Sequence, residues 1–122
     1  MELNLNDEER LVEVSITPTA IITARMLPVH ETLALGKRHT RTKIKRGVPV
    51  EKTDEKAFAE DLWDRTIHSW KGFTSAGQEI PCTRANKFKM MSKYPEIAEK
   101  LNEAIEIVRE KTFEEERSAE QD

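Results

Sequence analysis

The chain has 122 residues, enough for one domain with a modest hydrophobic core. Hydrophobic residues make up 37% and charged residues 35%, which indicates a thin core with a large polar surface, or a core completed by a partner. A formal net charge of -3 argues against bulk affinity for nucleic acid, and a single cysteine, Cys82, excludes an internal disulfide. Because no apolar stretch resembles a signal peptide or reaches the ~20 residues of a membrane span, we predict a soluble cytoplasmic protein.

The first part of the chain alternates between apolar and polar residues in two short stretches. Residues 11–16 and 20–27 both show this period of two, which is typical of half-buried β-strands, and the Thr-Pro-Thr sequence at 17–19 separates them. We therefore predict an N-terminal β-hairpin that packs on helices, because an isolated hairpin is only marginally stable. Residues 1–10 are polar and are predicted to form a flexible N-terminus.

A short helix and a basic segment are predicted next. Residues 28–35 begin with a proline, which the first helical turn tolerates, and Gly36 favours helix termination. Residues 37–52 are rich in lysine and arginine, and Gly47 and Pro49 favour a basic loop or an irregular strand there.

Three further helices are predicted in the second half of the chain. One spans residues 54–70 and carries apolar residues at helical spacing, one begins after Thr83 as N-cap, and one runs over 95–113. Residues 114–122 are acidic with nothing to bury and are predicted to be a disordered tail. The predicted fold is a single α+β domain over 11–113, mainly α, in which the hairpin packs on three to four helices.

The connection over residues 70–87 is punctuated by glycine and proline. Gly72 can adopt the left-handed backbone needed at a helix end, and Gly77 lies in a predicted tight turn. We interpret the connection as a structural clip between two helices. Its residues are Trp70, Gly72, Phe73, Gly77, Pro81, Thr83 and Asn86.

The same connection carries a recognisable pattern. Trp70-Lys71-Gly72 is followed by a glycine turn, then by Ile80-Pro81-Cys82-Thr83 and by Asn86-Lys87. This pattern resembles that of the short tail assembly chaperones of long-tailed bacteriophages and prophages. The likeness extends upstream through the basic run of 37–47 and the DLWDRTIHSW segment of 61–70. In one position the chain departs from the pattern, because Ala85 stands where an acidic residue is expected.

The resemblance implies a protein without chemistry of its own. Proteins of that family are assigned to bind the long, apolar tape measure protein before the tail tube polymerises, to keep it soluble, and to be absent from the finished tail. For this chain the resemblance implies a homo-oligomer in the bacterial host cytoplasm. The tape measure protein would be its client and the tail tube protein a further partner.

Apolar side chains on the predicted helices are candidates for binding the client. The helix face that carries Trp63 is wider than one packed helix needs, and flexible methionines provide an adaptable surface. Core filling is the competing interpretation for the tryptophans and for at least one methionine. The predicted client-binding residues are Trp63, Phe88, Met90, Met91 and Tyr94.

The basic run has two further interpretations. A small nucleic-acid-associated phage protein could track a phosphate backbone with it, although no aromatic residue is interleaved to stack on bases. Alternatively, it could contact the acidic stretch 110–122 of a neighbouring subunit. The cations of this basic patch are Lys37, Arg38, Arg41, Lys43, Lys45 and Arg46.

Nothing in the sequence indicates a catalytic or metal site. The residues that could bind a soft metal lack the spacing of known zinc motifs, so no metal and no cofactor is predicted. They are His30, His39, His68 and Cys82. Cys82 has no companion pattern of a nucleophile and is assigned to packing. Because no set of acid, base and nucleophile is evident, we predict that the protein is not an enzyme.

Overall fold

The structure, a computed structural model, describes Met1, Leu3 and residues 10–119, with the backbone alone over 112–119. The predicted flexible N-terminus of residues 1–10 therefore lies largely outside the described residues. The elements in chain order are β1 (Leu11–Ser15), β2 (Ile21–Arg25), α1 (Val29–Arg38), β3 (Thr40–Lys45), β4 (Val48–Thr53), α2 (Glu55–Thr66), β5 (Ile67–Lys71), β6 (Thr74–Ser75), β7 (Gln78–Glu79), α3 (Arg84–Lys93) and α4 (Pro95–Ala119).

The predicted N-terminal hairpin is confirmed. Strands β1 and β2 pair antiparallel with Val14 opposite Ile22, and both side chains are buried on the same face. The turn between the strands is closed by the Thr17 hydroxyl, which accepts a hydrogen bond from the Ala20 amide at 3.0 Å. The predicted alternation therefore places one apolar face of the hairpin against the core.

The hairpin extends to a three-stranded sheet in the order β1-β2-β5, which the sequence did not predict. The helix expected over 54–70 ends at Thr66, and residues 67–71 form a strand instead. Pairing with β2 places Ile67 opposite Ala24 and Trp70 opposite Ile22, so both β5 side chains are buried in the sheet. This tertiary pairing overrides the helical periodicity for two reasons. It buries the same apolar residues, and it gives hydrogen-bond partners to the backbone groups along the open edge of β2.

The basic loop predicted over residues 37–52 is also wrong in its detail. Lys37 and Arg38 close α1, which runs past Gly36, and strands β3 and β4 form a regular two-stranded hairpin. Arg46 and Gly47 connect these strands with φ values of 53° and 78°, the geometry of a two-residue turn that suits the twist of a hairpin. Glycine therefore marks a hairpin turn here rather than the interior of a loop.

The hydrophobic core lies between the three-stranded sheet and helices α3 and α4. Its buried side chains are Val14, Ile22, Ala24, Ile67, Trp70, Met90, Met91, Leu101 and Ile105. Helix α4 continues to Ala119, so the predicted disordered tail is wrong over residues 114–119, while 120–122 lie outside the described residues. Glutamate, lysine, arginine and alanine favour helix, and an established helix propagates readily through such residues.

Over the described residues the architecture is α+β and mainly α, with the N-terminal hairpin packed on a domain of four helices, within the predicted three to four. Across the described part of the chain, no helix has a stretch both long and apolar enough to cross a lipid bilayer.

Candidate functional site

The predicted clip is built around Gly72, which has a φ of 85°. A Cβ atom at this position would lie 1.9 Å from the carbonyl oxygen of Thr19, so the backbone of the β1–β2 turn packs directly on the glycine. The predicted left-handed conformation is confirmed, but its predicted place at a helix end is wrong, because the preceding element is strand β5. Gly72 therefore holds the end of β5 against the β1–β2 turn.

Trp70 connects β5 to the rest of the clip. Its indole Nε1 donates a hydrogen bond to the Ile80 carbonyl at 2.8 Å, and its ring meets that of Phe73 edge-on with centroids 5.8 Å apart. The amide of Ile80 donates in turn to the Phe73 carbonyl at 2.8 Å. Between these contacts β6 and β7 form a short hairpin, and Gly77 lies in its tight turn as predicted.

The predicted N-cap of α3 is confirmed. The Thr83 hydroxyl accepts a hydrogen bond from the Asn86 amide at 3.2 Å. The Asn86 side chain donates to the Pro81 carbonyl at 3.0 Å, which ties the first turn of α3 to the extended step before it. All seven predicted clip residues therefore lie in one continuous connection between the sheet and α3.

One side of this connection forms the wall of an apolar groove. The groove has a volume of about 600 Å³ and is partly open to solvent. Lys89 and Lys93 lie along α3 at its edge. Its apolar lining comes from the clip, from α3 and from the start of α4, and consists of Phe73, Ile80, Pro81, Met90, Tyr94 and Ile97.

The five predicted client-binding residues do not form one surface. Tyr94, 45% exposed, and Met90, 7% exposed, both line the groove, although Met90 also belongs to the core, and Met91, 4% exposed, packs in the core outside the groove. Trp63 is half-buried against the core and lines a different cavity, beside α4, and Phe88 is half-buried outside the groove. Of the two interpretations of the methionines, core filling applies to both, because both are buried in the core, and they do not provide an exposed client surface.

A charge cluster that sequence reasoning missed joins α1, α2 and α3. Asp61, with a side chain 14% exposed, accepts hydrogen bonds of 2.5 Å from His39 Nε2 and from the Arg84 guanidinium. The hydrogen bond from His39, followed by that from Arg84, lowers the pKa of Asp61 below its ordinary value. The same contact with Asp61 raises the pKa of Arg84. Asp61 therefore stays ionised as a structural anion.

A buried lysine completes this helix junction. Lys87 is 7% exposed, and its Nζ donates to the Asp64 carbonyl at 3.1 Å and to the Asp64 carboxylate at 3.2 Å. The sequence held a signal for this arrangement, since the acids at 61 and 64 and the bases at 84 and 87 have the same spacing. Two helices that face each other can pair such charges directly.

The predicted basic patch is divided between two elements. Lys37 and Arg38 lie in the last turn of α1, and the other four cations lie on the β3–β4 hairpin, where all residues except Thr40 are exposed. Residues opposite each other in the hairpin share a face, so alternation gathers most of its cations on one side. We call this side the basic face; it carries Arg41, Lys43, Lys45 and Lys52, with Val48 and Val50 between them.

The histidines and the cysteine have structural neighbours. His39 bonds Asp61, and Arg25 donates to His68 Nδ1 at 2.9 Å. Cys82 is half-buried, and burial raises the pKa of its thiol, which disfavours the nucleophilic thiolate. Within the described ranges, no group of three or more His, Cys, Asp or Glu side chains is placed to hold a metal ion.

Comparison with known proteins gives no relatives for this chain. It matches no protein-family model, no curated protein and no solved structure.

Proposed function

We propose that this chain is a tail assembly chaperone of a long-tailed bacteriophage or prophage. In this role it is non-enzymatic, acts in the bacterial host cytoplasm, and binds and solubilises the tape measure protein during tail assembly. The tail tube protein is a further partner. The observation that carries the proposal is the apolar groove, because one of its walls is the connection that bears the family pattern.

The groove has the chemistry that a reversible client site needs. Six apolar side chains line it beside polar residues of the clip and of α3, and Tyr94 offers a ring with a polar tip that can contact either an apolar side chain or water. Lys89 and Lys93, which also line it, lie about one helical turn apart on α3 and are exposed to solvent. An apolar helical segment of a client can bury its face here, while the groove remains open enough for release.

The ionisable groups of the α2–α3 junction serve the fold rather than catalysis. Asp61, Asp64, Arg84 and Lys87 pair with one another across the α2–α3 junction. Groups committed to such pairs do not supply the exposed acid, base and nucleophile that an enzyme requires. This supports a binding role for the protein.

The experiment is co-expression of the chain with the tape measure protein of the same phage. The wild-type chain should raise the soluble fraction of the tape measure protein and co-purify with it. Tyr94→Asp should reduce both effects several-fold, because it places a charge in the groove. Leu33→Asp is the matched control, since Leu33 is 63% exposed on α1, away from the groove. The proposal fails if the wild-type chain neither rescues nor co-purifies, or if Leu33→Asp is as damaging as Tyr94→Asp.

The second candidate is a small nucleic-acid-associated phage protein. The basic face favours it, because the major groove of DNA admits a two-stranded β-ribbon and lysine and arginine contact phosphates. The negative net charge of the whole chain opposes it. Duplex binding that disappears when Lys43 and Lys45 are reversed would favour this candidate over the chaperone.

A further inference from the structure

Helix α4 carries a second charged surface, opposite in sign to the basic face. Its glutamates at 96, 99, 103, 106 and 110 are all exposed and follow a spacing of three and four residues. That spacing places them on one side of the helix. The buried residues Leu101 and Ile105 lie on the other side, against the core. We call the surface formed by these five glutamates the acidic face.

Both surfaces carry like-charge repulsion within the monomer. Glutamates three or four residues apart on a helix repel each other, as do cations directly opposite in a hairpin, where Arg41 faces Lys52. Glu106 pairs with Arg109 at 3.2 Å, but the other four glutamates have no ion pair within the described part of the chain. The same holds, over those residues, for the cations of the basic face. A partner of opposite charge would relieve the repulsion on each surface.

We propose that the basic face of one copy of this chain docks on the acidic face of a second copy. Side chains two apart in a strand recur about every 6.8 Å, so Arg41 to Lys45 span about 14 Å. The acidic face runs from Glu96 to Glu110 and is therefore about 21 Å long at 1.5 Å per residue, which accommodates that row. The partner is therefore a second copy of the chain, identified by charge and by length.

Exposed apolar side chains accompany the charges on both surfaces. Val48 and Val50 on the basic face are 59% and 42% exposed, and Ile107, adjacent to Glu103 and Glu110 on α4, is 57% exposed. Their contact would remove apolar area from water at the centre of a charged rim, the usual composition of a protein interface. Apolar residues on both sides distinguish this surface from a purely solvated one.

Such a contact is heterologous, because each copy offers two different surfaces. It joins copies head to tail and produces a ring or an open filament rather than a two-fold dimer. It is formed by exposed charges and therefore weakens as salt screens them. This inference does not depend on the client or on the proposed chaperone role.

Charge reversal tests the contact in the full chain by sedimentation velocity. At low ionic strength, about 0.05 M, the wild-type chain should gain mass with concentration, and at about 0.5 M it should be monomeric. Lys43→Glu with Lys45→Glu, or Glu99→Lys with Glu103→Lys, should each weaken association about tenfold or more. A chain with all four changes should associate again, because both surfaces are exchanged in sign.

The controls separate this contact from general charge effects and from nucleic acid. Lys56→Glu with Lys71→Glu makes the same change in net charge at exposed positions off the basic face, and should leave association unchanged. Circular dichroism establishes that each variant is folded. Fluorescence anisotropy with a random DNA duplex of about 20 base pairs measures the competing role of the basic face.

Three outcomes overturn the proposal. The first is a wild-type chain that stays monomeric at about 1 mM protein in low salt. The second is a folded four-change chain that stays monomeric, because exchanged charges should pair again. The third is a chain that binds the DNA duplex, loses that binding when Lys43 and Lys45 are reversed to glutamate, and keeps its self-association unchanged in the same variant. This result would assign the basic face to nucleic acid.

Discussion

At the scale of single residues, Gly72 is where the backbone of the fold is most tightly constrained. Gly72→Ala should lower the free energy of unfolding by about 3 kcal/mol or more, because left-handed strain adds to a steric clash. The added Cβ would lie 1.9 Å from the Thr19 carbonyl oxygen, and backbone cannot move aside as a flexible side chain can. Urea denaturation measures the loss.

Gly77→Ala is the matched control for that prediction. Gly77 has a φ of 79°, close to the 85° of Gly72, but a Cβ there would meet nothing within 4 Å. It should therefore cost only the backbone strain of a left-handed residue, about 1–2 kcal/mol. Equal losses for the two variants would contradict the packing of β5 on the β1–β2 turn.

Asp61 gives a pH-dependent prediction at the same scale. Asp61→Asn should lower the free energy of unfolding at neutral pH by about 1–2 kcal/mol, because the charge-assisted bonds from His39 and Arg84 are weakened. The pKa of Asp61 is lower in the folded chain than in the unfolded one. Its stabilisation is therefore complete above the unfolded value of about 3.9 and is lost as pH falls through the folded value.

The difference in stability between wild type and Asp61→Asn should consequently shrink below about pH 4. Denaturation curves at several pH values measure this difference directly. Glu13→Gln, at an exposed position on β1, removes one carboxylate that forms no ion pair with any residue the structure describes, and serves as control. A gap that stays constant down to about pH 2 would show that Asp61 is not the charge that links these helices.

At the scale of elements, the β3–β4 hairpin is an addition to the core rather than part of it. Replacing residues 42–51 with Asn-Gly should change the free energy of unfolding by less than about 1 kcal/mol. None of the removed residues is buried, and the base of the hairpin keeps its bond from the Asp54 amide to the His39 carbonyl at 2.8 Å. Thermal and urea denaturation measure the change.

Ile67→Ala provides the contrast for the shortened hairpin. Ile67 is fully buried in β5, so removing part of one side chain should cost about 2–5 kcal/mol, more than removing ten exposed residues. If the shortened chain loses as much stability as Ile67→Ala, the hairpin packs on the domain and contributes to its core, contrary to its exposure to solvent in the structure.

The elements differ in how far the sequence predicts them, and the difference is physical. The N-terminal hairpin was predicted because the alternation of apolar and polar residues is a local signal, and the two alternating strands pair with each other. Residues 67–71 continue the helical period of α2, and only the open edge of β2, distant in sequence, selects a strand. For β3 and β4 the local signal existed, since Arg46-Gly47 divides two alternating stretches, but their dense charge favoured a loop interpretation.

The candidate site divides in the same way. Gly77 and Thr83 were placed correctly because caps and tight turns depend on a few neighbouring residues. For Gly72 the left-handed conformation was predicted correctly, but its position after a helix was not. The groove forms only where α3, α4 and the clip meet, and the charge cluster around Asp61 forms only where three helices come together. Neither can be predicted from the residue pattern of one short segment. The burial of Met90 and Met91 likewise depends on which side of α3 faces the sheet.

At the scale of the whole molecule, charge is unevenly distributed. The hairpin segment 40–53 carries five cations and one glutamate, a formal +4, whereas the whole chain carries -3. The rest of the molecule is therefore strongly acidic, and the five glutamates of the acidic face on α4 are part of that charge. Copies of such a molecule attract each other in particular orientations even though their net charges repel.

Hydrogen exchange tests this distribution together with the stability of the fold. Strand β2 is central in its sheet and carries the fully buried Ile22, so its amides should exchange only through global unfolding. The amides of β3 and β4 should exchange through local opening. Raising the protein concentration at low salt should slow exchange in β3 and β4 and leave β2 unchanged, because docking covers the hairpin. Lys43→Glu with Lys45→Glu should abolish that dependence on concentration. If the exchange rates of β3 and β4 depend neither on protein concentration nor on these substitutions, the contacts that protect the hairpin lie within one copy. The proposed head-to-tail contact would then be wrong.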